Sequence, residues 1–294
     1  MKRPILILVF VTMVWGSTFP LLKGLSQCPG LDGMTLSGLR FFIAALCLSP
    51  LLFRISAATW KAGISLALLA FISYVSQAWG LSYISSNRSA FITSVNVLMV
   101  PVIGCFLGRF PSLKLIAAAL LALLGLGLMS WEGGADWRGD SLTFLCALGN
   151  ALYIINLSKV AADHKPLHLA ASQVFLMAAL SLPMLLCTGK SLPDILTAAS
   201  GSWPVLIYLG AVATAGMLAL QSLAQGKVRA EDAALIFSLE PVFAAIAAYF
   251  WIGEILGPRA LLGGSLVIAA VIWAERQSSA PPEKLKQDEP KNRS

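Results

Sequence analysis

The sequence has few charged residues for its length. Of its 294 residues, 12% are Asp, Glu, Lys or Arg, against roughly 25% in a soluble domain. So small a share cannot cover a water-facing surface, which excludes a soluble globular protein. Intrinsic disorder of the whole chain is excluded as well, because disordered chains are poor in apolar residues and 57% of this chain is apolar.

The patterns of common catalytic and metal sites are also missing. No HExxH, GxSxG or P-loop pattern occurs, so neither a hydrolase nor an ATP-driven pump has visible machinery. The five cysteines form no CxxC pair. Two histidines, His164 and His168, share one loop that offers too few ligands for a metal. We therefore expect no enzyme activity, no cofactor and no metal.

Long apolar runs dominate the rest of the chain, with a mean hydropathy of +0.80. A bilayer core about 30 Å thick needs roughly 20 apolar residues per helix. The sequence therefore predicts an all-α membrane protein with ten transmembrane helices, embedded in the lipid bilayer. The predicted spans are 5–23, 34–53, 62–83, 90–108, 113–130, 141–158, 167–187, 203–222, 233–252 and 260–274.

The placement of positive charge predicts an orientation. With the N-terminus inside, the inner ends and loops hold ten Lys and Arg residues and the outer loops hold five, even without the C-terminal tail. We expect a multi-pass protein of the cytoplasmic membrane with both termini cytoplasmic. The net charge of +7 then reflects membrane orientation, not a nucleic-acid partner. Residues 275–294 are rich in charge and proline, which predicts a disordered cytoplasmic tail.

The two halves of the chain resemble each other weakly. A shift of 144 residues aligns Gln77 with Gln221 and places Asn96 opposite Glu240. Because each half has five spans, an odd number, the second half must lie inverted relative to the first. Inverted repeats are common in secondary transporters, which bind substrate near the membrane midplane between the repeats.

Several motifs resemble the EamA type of the drug/metabolite transporter superfamily. In the first half these are WGSTFP at Trp15–Pro20, LRFFIAAL at Leu39–Leu46 and the long run at Gly80–Gly104. In the second half, SLEPVFAAIAAYFWIGE at Ser238–Glu254 is similar to that family's ninth-helix motif. The motifs are specific as a set and weak singly.

The resemblance implies two inverted five-helix repeats, at residues 5–130 and 141–274, and alternating-access transport of a small organic solute. Small residues such as the GxxxG spacing at Gly104–Gly108 would support dimer or bundle packing in this fold, so a homodimer is a further expectation. One departure is visible. GRFPS at Gly108–Ser112 has no glutamate matching Glu254, which argues against a symmetric pair of glutamates.

Glu240 is the first candidate functional residue. A carboxylate near the centre of a membrane helix costs free energy and needs a reason. Pro241 follows it and removes one helical hydrogen bond. Two interpretations are open: Glu240 couples proton movement to transport or contacts substrate, or it is a permanently paired structural residue. Since the repeat places the neutral Asn96 opposite it, a single titrating site is the simpler expectation.

Arg40 and two glutamines are further candidates. Arg40 could hold an anionic substrate, pair with Glu240 or extend its head to the membrane surface. Its counterpart in the second half is the uncharged Gln173. Gln77 and Gln221 need hydrogen-bond partners in hydrocarbon, either across helices or in a water-filled cavity.

A cluster of aromatic and polar residues completes the predicted site. Asn150 and Tyr153 lie three apart, on one face of span 6. Trp15, Ser17 and Thr18 occupy the corresponding part of span 1. Together they predict a pocket for a small amphipathic solute.

The sequence favours a secondary active transporter of a small organic metabolite, such as an amino acid, working by alternating access, with proton coupling through Glu240 as one hypothesis. Two alternatives stay open: a passive facilitator or channel, and a membrane assembly subunit that transports nothing. A channel is less favoured because no ring of like polar residues or repeated filter motif is visible.

Overall fold

The computed structural model describes residues 3–108, 110–130, 136–253 and 257–277. In these ranges the regular structure is helical. Nine of the described helical stretches are long and apolar enough to cross a membrane, and a further apolar helix is shorter. The prediction of an all-α protein with ten spans is confirmed. In chain order, spans 1 to 10 are Arg3–Ser26, Gly33–Arg54, Ala57–Gly80, Ser86–Phe106, Leu113–Met129, Trp137–Asp163, Pro166–Cys187, Trp203–Gln225, Ala230–Trp251 and Pro258–Arg276.

Two predicted features lie wholly or mostly outside the described residues. The last helix continues to Gln277, so the first three residues of the predicted tail are helical. The rest of that tail, 278–294, is outside the described part of the chain, as is Glu254.

Spans 3 and 4 begin earlier than hydropathy predicts because serine side chains cap them. Span 3 starts at Ala57, where the Ser56 side chain accepts a hydrogen bond from the Thr59 amide at 3.3 Å. Span 4 starts after Ser85, whose hydroxyl accepts from the Arg88 amide at 3.1 Å. A capping serine satisfies an amide that has no partner within the helix. The capped first turns of both helices are therefore helical although they lie before the long apolar runs.

Span 8 contains a segment that the sequence did not predict. Between the helices Trp203–Ile207 and Met217–Gln225, residues Tyr208–Gly216 form a π-helix. π-Helical turns are rare and frequently mark functional positions, because the wider turn changes which backbone groups are paired. A second unpredicted element is the short helix Leu192–Ala199, which lies between spans 7 and 8.

The contacts between the two halves follow an approximate two-fold symmetry. Span 1 packs on span 9 just as span 6 packs on span 4, and span 3 contacts span 6 just as span 8 contacts span 1. Spans 2 and 7 contact each other, and so do spans 5 and 10. Exchanging each span for its equivalent in the other half therefore reproduces these interfaces, as two inverted repeats require.

Glycines bring spans 5 and 10 close together. A Cβ built on Gly125 would lie 2.6 Å from the carbonyl oxygen of Gly263, and a Cβ on Gly263 would meet the backbone of Gly125 and Met129. Small residues allow such close approach between membrane helices. These two glycines thus serve packing within one chain, while the homodimer stays a prediction.

Asp32 connects the beginning of span 2 to the loop before the short helix. Its side chain caps span 2 by accepting from the Thr35 amide at 2.8 Å, and it forms an ion pair with Lys190 at 2.5 Å. Lys190 also donates to the carbonyl oxygen of Gly30 at 2.9 Å. Burial alone would raise the pKa of Asp32, but the hydrogen bonds from Lys190 and Thr35 outweigh it and hold the pKa below its usual value.

We expect Asp32→Ala to lower the free energy of unfolding by about 1 kcal/mol, because the cap is lost together with the ion pair. Asp32→Asn keeps a capping oxygen and loses only the charge, so we expect a loss of about 0.5 kcal/mol. Chemical unfolding in mild detergent measures both values.

The control is the pH dependence of the difference in unfolding free energy between the wild type and Asp32→Asn. Because folding lowers the pKa of Asp32, the stability from its charge is present above the unfolded value of 3.8 and is lost as pH falls through the folded value. The difference between the wild type and Asp32→Asn should therefore shrink at acidic pH. A difference that stays constant from pH 7 to pH 3 would contradict this assignment.

Candidate functional site

A polar cavity lies between the two halves of the chain. Residues from spans 1 to 4 and from spans 6, 8 and 9 line it. The predicted candidates that line it are Trp15, Thr18, Arg40, Gln77, Asn96, Asn150, Tyr153, Gln221 and Glu240.

Ser17 is the one sequence candidate that does not line the cavity. Its hydroxyl forms a hydrogen bond of 2.6 Å with the Tyr208 hydroxyl and donates to the Val14 carbonyl at 2.6 Å. Ser17 therefore joins span 1 to the π-helix of span 8.

Asn96 and Glu240 occupy equivalent breaks in spans 4 and 9. Span 4 ends its first helix at Ser94 and resumes at Asn96, while span 9 ends its first helix at Phe237 and resumes at Glu240. The turn before Glu240 is tight, with the Leu239 amide bonded to the Ile236 carbonyl at 3.1 Å. Both side chains thus stand at the start of a half-helix, where the helix dipole favours negative charge.

Glu240 has no ion pair and no hydrogen bond from its side chain to any described residue, although only 9% of its surface is exposed. An unpaired buried carboxylate costs several kcal/mol of free energy. Pro241 follows Glu240 and offers no N–H to the carbonyl of Phe237, four residues before it. The interpretation of Glu240 as a permanently paired residue finds no partner in the described structure.

Gly16 permits the close contact between span 1 and span 9 at this point. A Cβ at Gly16 would lie 2.7 Å from the Glu240 carbonyl oxygen, 2.7 Å from Phe243 Cβ and 2.9 Å from the Ala244 amide nitrogen. These distances are shorter than atomic contact allows, so no other side chain fits without movement of the helices. This contact explains the glycine in the motif WGSTFP.

Arg40 is buried, with 4% exposure, and it binds the π-helix. Its Nε donates to the hydroxyl of Thr214 at 2.5 Å and to the carbonyl of Leu209 at 3.2 Å, and a terminal nitrogen donates to the carbonyl of Ala213 at 3.3 Å. The guanidinium carbon lies 4.4 Å from the centre of the Tyr74 ring. The interpretation that Arg40 reaches the membrane surface does not fit this geometry, and Arg40 forms no ion pair with Glu240 within 4.0 Å.

Trp15 and Arg40, both in the first half of the chain, donate hydrogen bonds to the same turn of the π-helix in the second half. The indole Nε1 of Trp15 donates to the Ala213 carbonyl at 2.8 Å, and Arg40 donates to that carbonyl as well. Thr214 satisfies the Leu209 carbonyl at 2.7 Å. Side chains therefore supply the hydrogen bonds that the widened π-turn requires.

The remaining polar residues form a network around the cavity. Gln221 Nε2 donates to Gln225 Oε1 at 2.9 Å, and Gln225 Nε2 donates to the carbonyl of Ile154 at 2.7 Å. Tyr153 donates to Gln173 Oε1 at 2.7 Å. These amides all belong to the second half of the chain, and other polar groups hold them in place.

Sequence reasoning missed seven of the lining residues, and three of them are Tyr74, Cys146 and Phe237. A signal for these three exists in the sequence. Each lies three or four residues from a polar candidate, Tyr74 before Gln77, Cys146 before Asn150, and Phe237 before Glu240, and so shares its helix face.

Comparison with known proteins identifies the family. The model of the EamA-like transporter family matches residues 2–131 and 137–275. The chain belongs to this family. The resemblance drawn from the motifs is confirmed, and the protein is a multi-pass membrane transporter that contacts lipid and a small-molecule substrate.

Relatives of this EamA-like transporter carry transporter names, not enzyme names. An uncharacterised transporter of Archaeoglobus fulgidus is 32% identical over 90% of this chain and 83% of its own length. A probable terminal-alkyne amino-acid exporter of Streptantibioticus cattleyicolor is 24% identical over 95% of each chain. One crystal structure, at 15% identity, has the same fold, with a TM-score of 0.76 over 94% of this chain and 98% of that chain.

We expect Gly16→Ala to destabilise the transporter by about 1–3 kcal/mol, because the added methyl group forces spans 1 and 9 apart at Glu240. Gly24→Ala is the matched control in the same helix, since nothing lies within 4 Å of a Cβ at that position. Thermal unfolding in detergent compares the two variants. Equal melting temperatures for both would contradict the proposed role of Gly16.

Proposed function

We propose that this chain is a secondary active transporter that moves a small organic metabolite of the amino-acid class through the central cavity by alternating access. The observation that carries the proposal is a cavity between the two repeats that is lined by a cation, Arg40, and a carboxylate, Glu240. Binding at the interface of inverted repeats is the usual arrangement in such transporters. The orientation with both termini cytoplasmic is part of the proposal.

The symmetry of the interfaces supports alternating access. Spans 1 and 9 make the same kind of contact as spans 6 and 4, so the two repeats can exchange conformations. Such an exchange would close the cavity on one membrane side and open it on the other by a largely rigid rocking of one repeat against the other.

The lining of the cavity supports a solute with both charges and an apolar part. Arg40 and Glu240 offer opposite charges, while Trp15, Tyr74 and Phe237 offer aromatic surface. An amino acid has this combination of groups. The name of the relative from Streptantibioticus cattleyicolor, a probable amino-acid exporter, agrees with this class.

Glu240 supports coupling to protons. A buried carboxylate without a partner becomes less costly when it is neutralised. A proton taken up from one side of the membrane and released on the other would therefore change the charge of the cavity during each cycle. Asn96, the equivalent residue of the first repeat, has a neutral amide that takes up no proton. Proton coupling is therefore assigned to Glu240 alone.

The test uses purified protein in liposomes with an imposed pH gradient and a mixture of the twenty common amino acids, and mass spectrometry measures the vesicle contents. We expect the wild type to accumulate a subset of amino acids above their outside concentration. Glu240→Gln should lose accumulation, because the titrating group is gone. It should still exchange labelled for unlabelled amino acid, but only at a higher amino-acid concentration, because the variant also removes a negative charge from the cavity wall.

Glu231→Gln is the matched control, because this carboxylate also lies in span 9 but faces Arg229 at 3.8 Å and does not line the cavity. It should accumulate amino acids like the wild type. Undiminished accumulation by Glu240→Gln would overturn the coupling role, and a wild type that moves no solute even by exchange would overturn the transport proposal for this substrate class.

A further inference from the structure

Two oxygen atoms in the cavity wall have no hydrogen-bond partner among the described residues. They are Oδ1 of Asn96 and Oε1 of Gln221, on side chains that are 3% and 1% exposed. Both residues line the cavity. Because a buried acceptor without a donor costs free energy, such a pair is unusual in a packed protein and points to a missing partner.

The orientation of the Gln221 amide is fixed by a chain of hydrogen bonds. The carbonyl of Ile154 can only accept, so Gln225 must present its Nε2 there, at 2.7 Å. Gln225 Oε1 then accepts from Gln221 Nε2 at 2.9 Å. Gln221 is therefore left with its oxygen as the free group. Ser158 reinforces this arrangement by accepting from Gln225 Nε2 at 3.0 Å.

Acceptors from three spans line the same cavity. They are the carboxylate of Glu240 in span 9 and the oxygens of Asn96 in span 4 and Gln221 in span 8. The donors of Arg40 that the structure pairs are directed to the π-helix and not to these oxygens. A group that fits here must donate several hydrogen bonds and carry positive charge.

An ammonium group meets both requirements, since it has three donors and no acceptor. Trp15 and Phe237 also line the cavity, with ring centres 5.6 Å apart. Aromatic faces attract cations, which adds to the preference for positive charge.

We propose that Asn96, Gln221 and Glu240 form a subsite for the ammonium group of the transported solute. This assignment rests on the proposed function, because it presumes that a solute enters the cavity. It makes the amine the essential group of the substrate, while the carboxylate of an amino acid is secondary at this subsite.

The test measures binding to the full chain in detergent, separately from transport. The probes are three matched sets: leucine, isoamylamine and 4-methylpentanoate; phenylalanine, phenethylamine and 3-phenylpropionate; alanine, ethylamine and propionate. Thermal unfolding is recorded against each concentration, since a ligand that binds the folded state raises the melting temperature. We expect amino acids and amines of at least one set to stabilise the protein and the matching acids to have no effect.

Asn96→Leu separates a binding role from a structural one. Removing an acceptor without a partner should leave the melting temperature of the ligand-free protein unchanged or higher. The same change should weaken binding of the amine about tenfold or more, because a charged hydrogen bond is lost. A structural asparagine would behave in the opposite way, with a lower melting temperature and unchanged affinity.

Asn156→Leu is the matched control. This asparagine donates to the hydroxyl of Ser65 at 2.8 Å and does not line the cavity, so its replacement should leave amine binding unchanged. Asn96→Asp keeps the shape of the side chain and adds negative charge, and it should strengthen amine binding about tenfold.

The other outcomes distinguish failure of the ammonium subsite from failure of the proposed substrate class. Acids that bind as well as the amines, or an Asn96→Leu variant with wild-type amine affinity, would overturn the subsite and leave the transport proposal standing. Sodium chloride that stabilises the wild type where N-methylglucamine chloride does not, with no effect of any amine, would identify an inorganic cation site and overturn the ammonium assignment. If no amino acid, amine or acid binds, the proposed substrate class fails together with the subsite.

Discussion

The structure depends on how two charged side chains are accommodated inside an apolar bundle. A charge in the membrane interior costs several kcal/mol unless hydrogen bonds or opposite charges compensate it. Arg40 is compensated by backbone carbonyls that the π-helix of span 8 makes available, together with the ring of Tyr74. Glu240 has no ion pair or side-chain hydrogen bond to the described residues, and it lines the cavity at the start of a half-helix. The π-helix, the helix breaks and the glycine contact between spans 1 and 9 all meet around these two residues.

The two repeats are equal in architecture and different in chemistry. Spans 4 and 9 break at equivalent positions, but one break carries Asn96 and the other Glu240. Gln77 and Gln221 are also equivalent, yet Gln77 is partly exposed while Gln221 is buried and bonded to Gln225. In the proposed mechanism, the symmetric interfaces allow two alternative closures, and the asymmetric side chains bind the solute in one orientation.

The ten spans and most polar residues of the cavity could be predicted from the sequence, because the signal for each is local. Apolar runs identify ten spans, and polar residues inside those runs mark the cavity, since hydrocarbon leaves few other places for them. The hydrogen-bond partners could not be predicted. The carbonyls of Leu209 and Ala213 that receive Arg40 lie about 170 residues away in the chain, and backbone carbonyls carry no sequence signal. The π-helix could not be predicted for the same reason, nor could the hydrogen bond between Ser17 and Tyr208 of that helix.

The central claim is that the cavity opens to each side of the membrane in turn. The most direct measurement is labelling of Asn150→Cys, in a chain whose five native cysteines are replaced by serine, with a membrane-impermeant thiol reagent in right-side-out and inside-out vesicles. Asn150 lines the cavity, whereas Leu124, 66% exposed on a membrane span, provides the lipid-facing control as Leu124→Cys. We predict that Asn150→Cys is labelled from both sides and Leu124→Cys from neither. Labelling of Asn150→Cys from one side only, or from neither, would contradict alternating access.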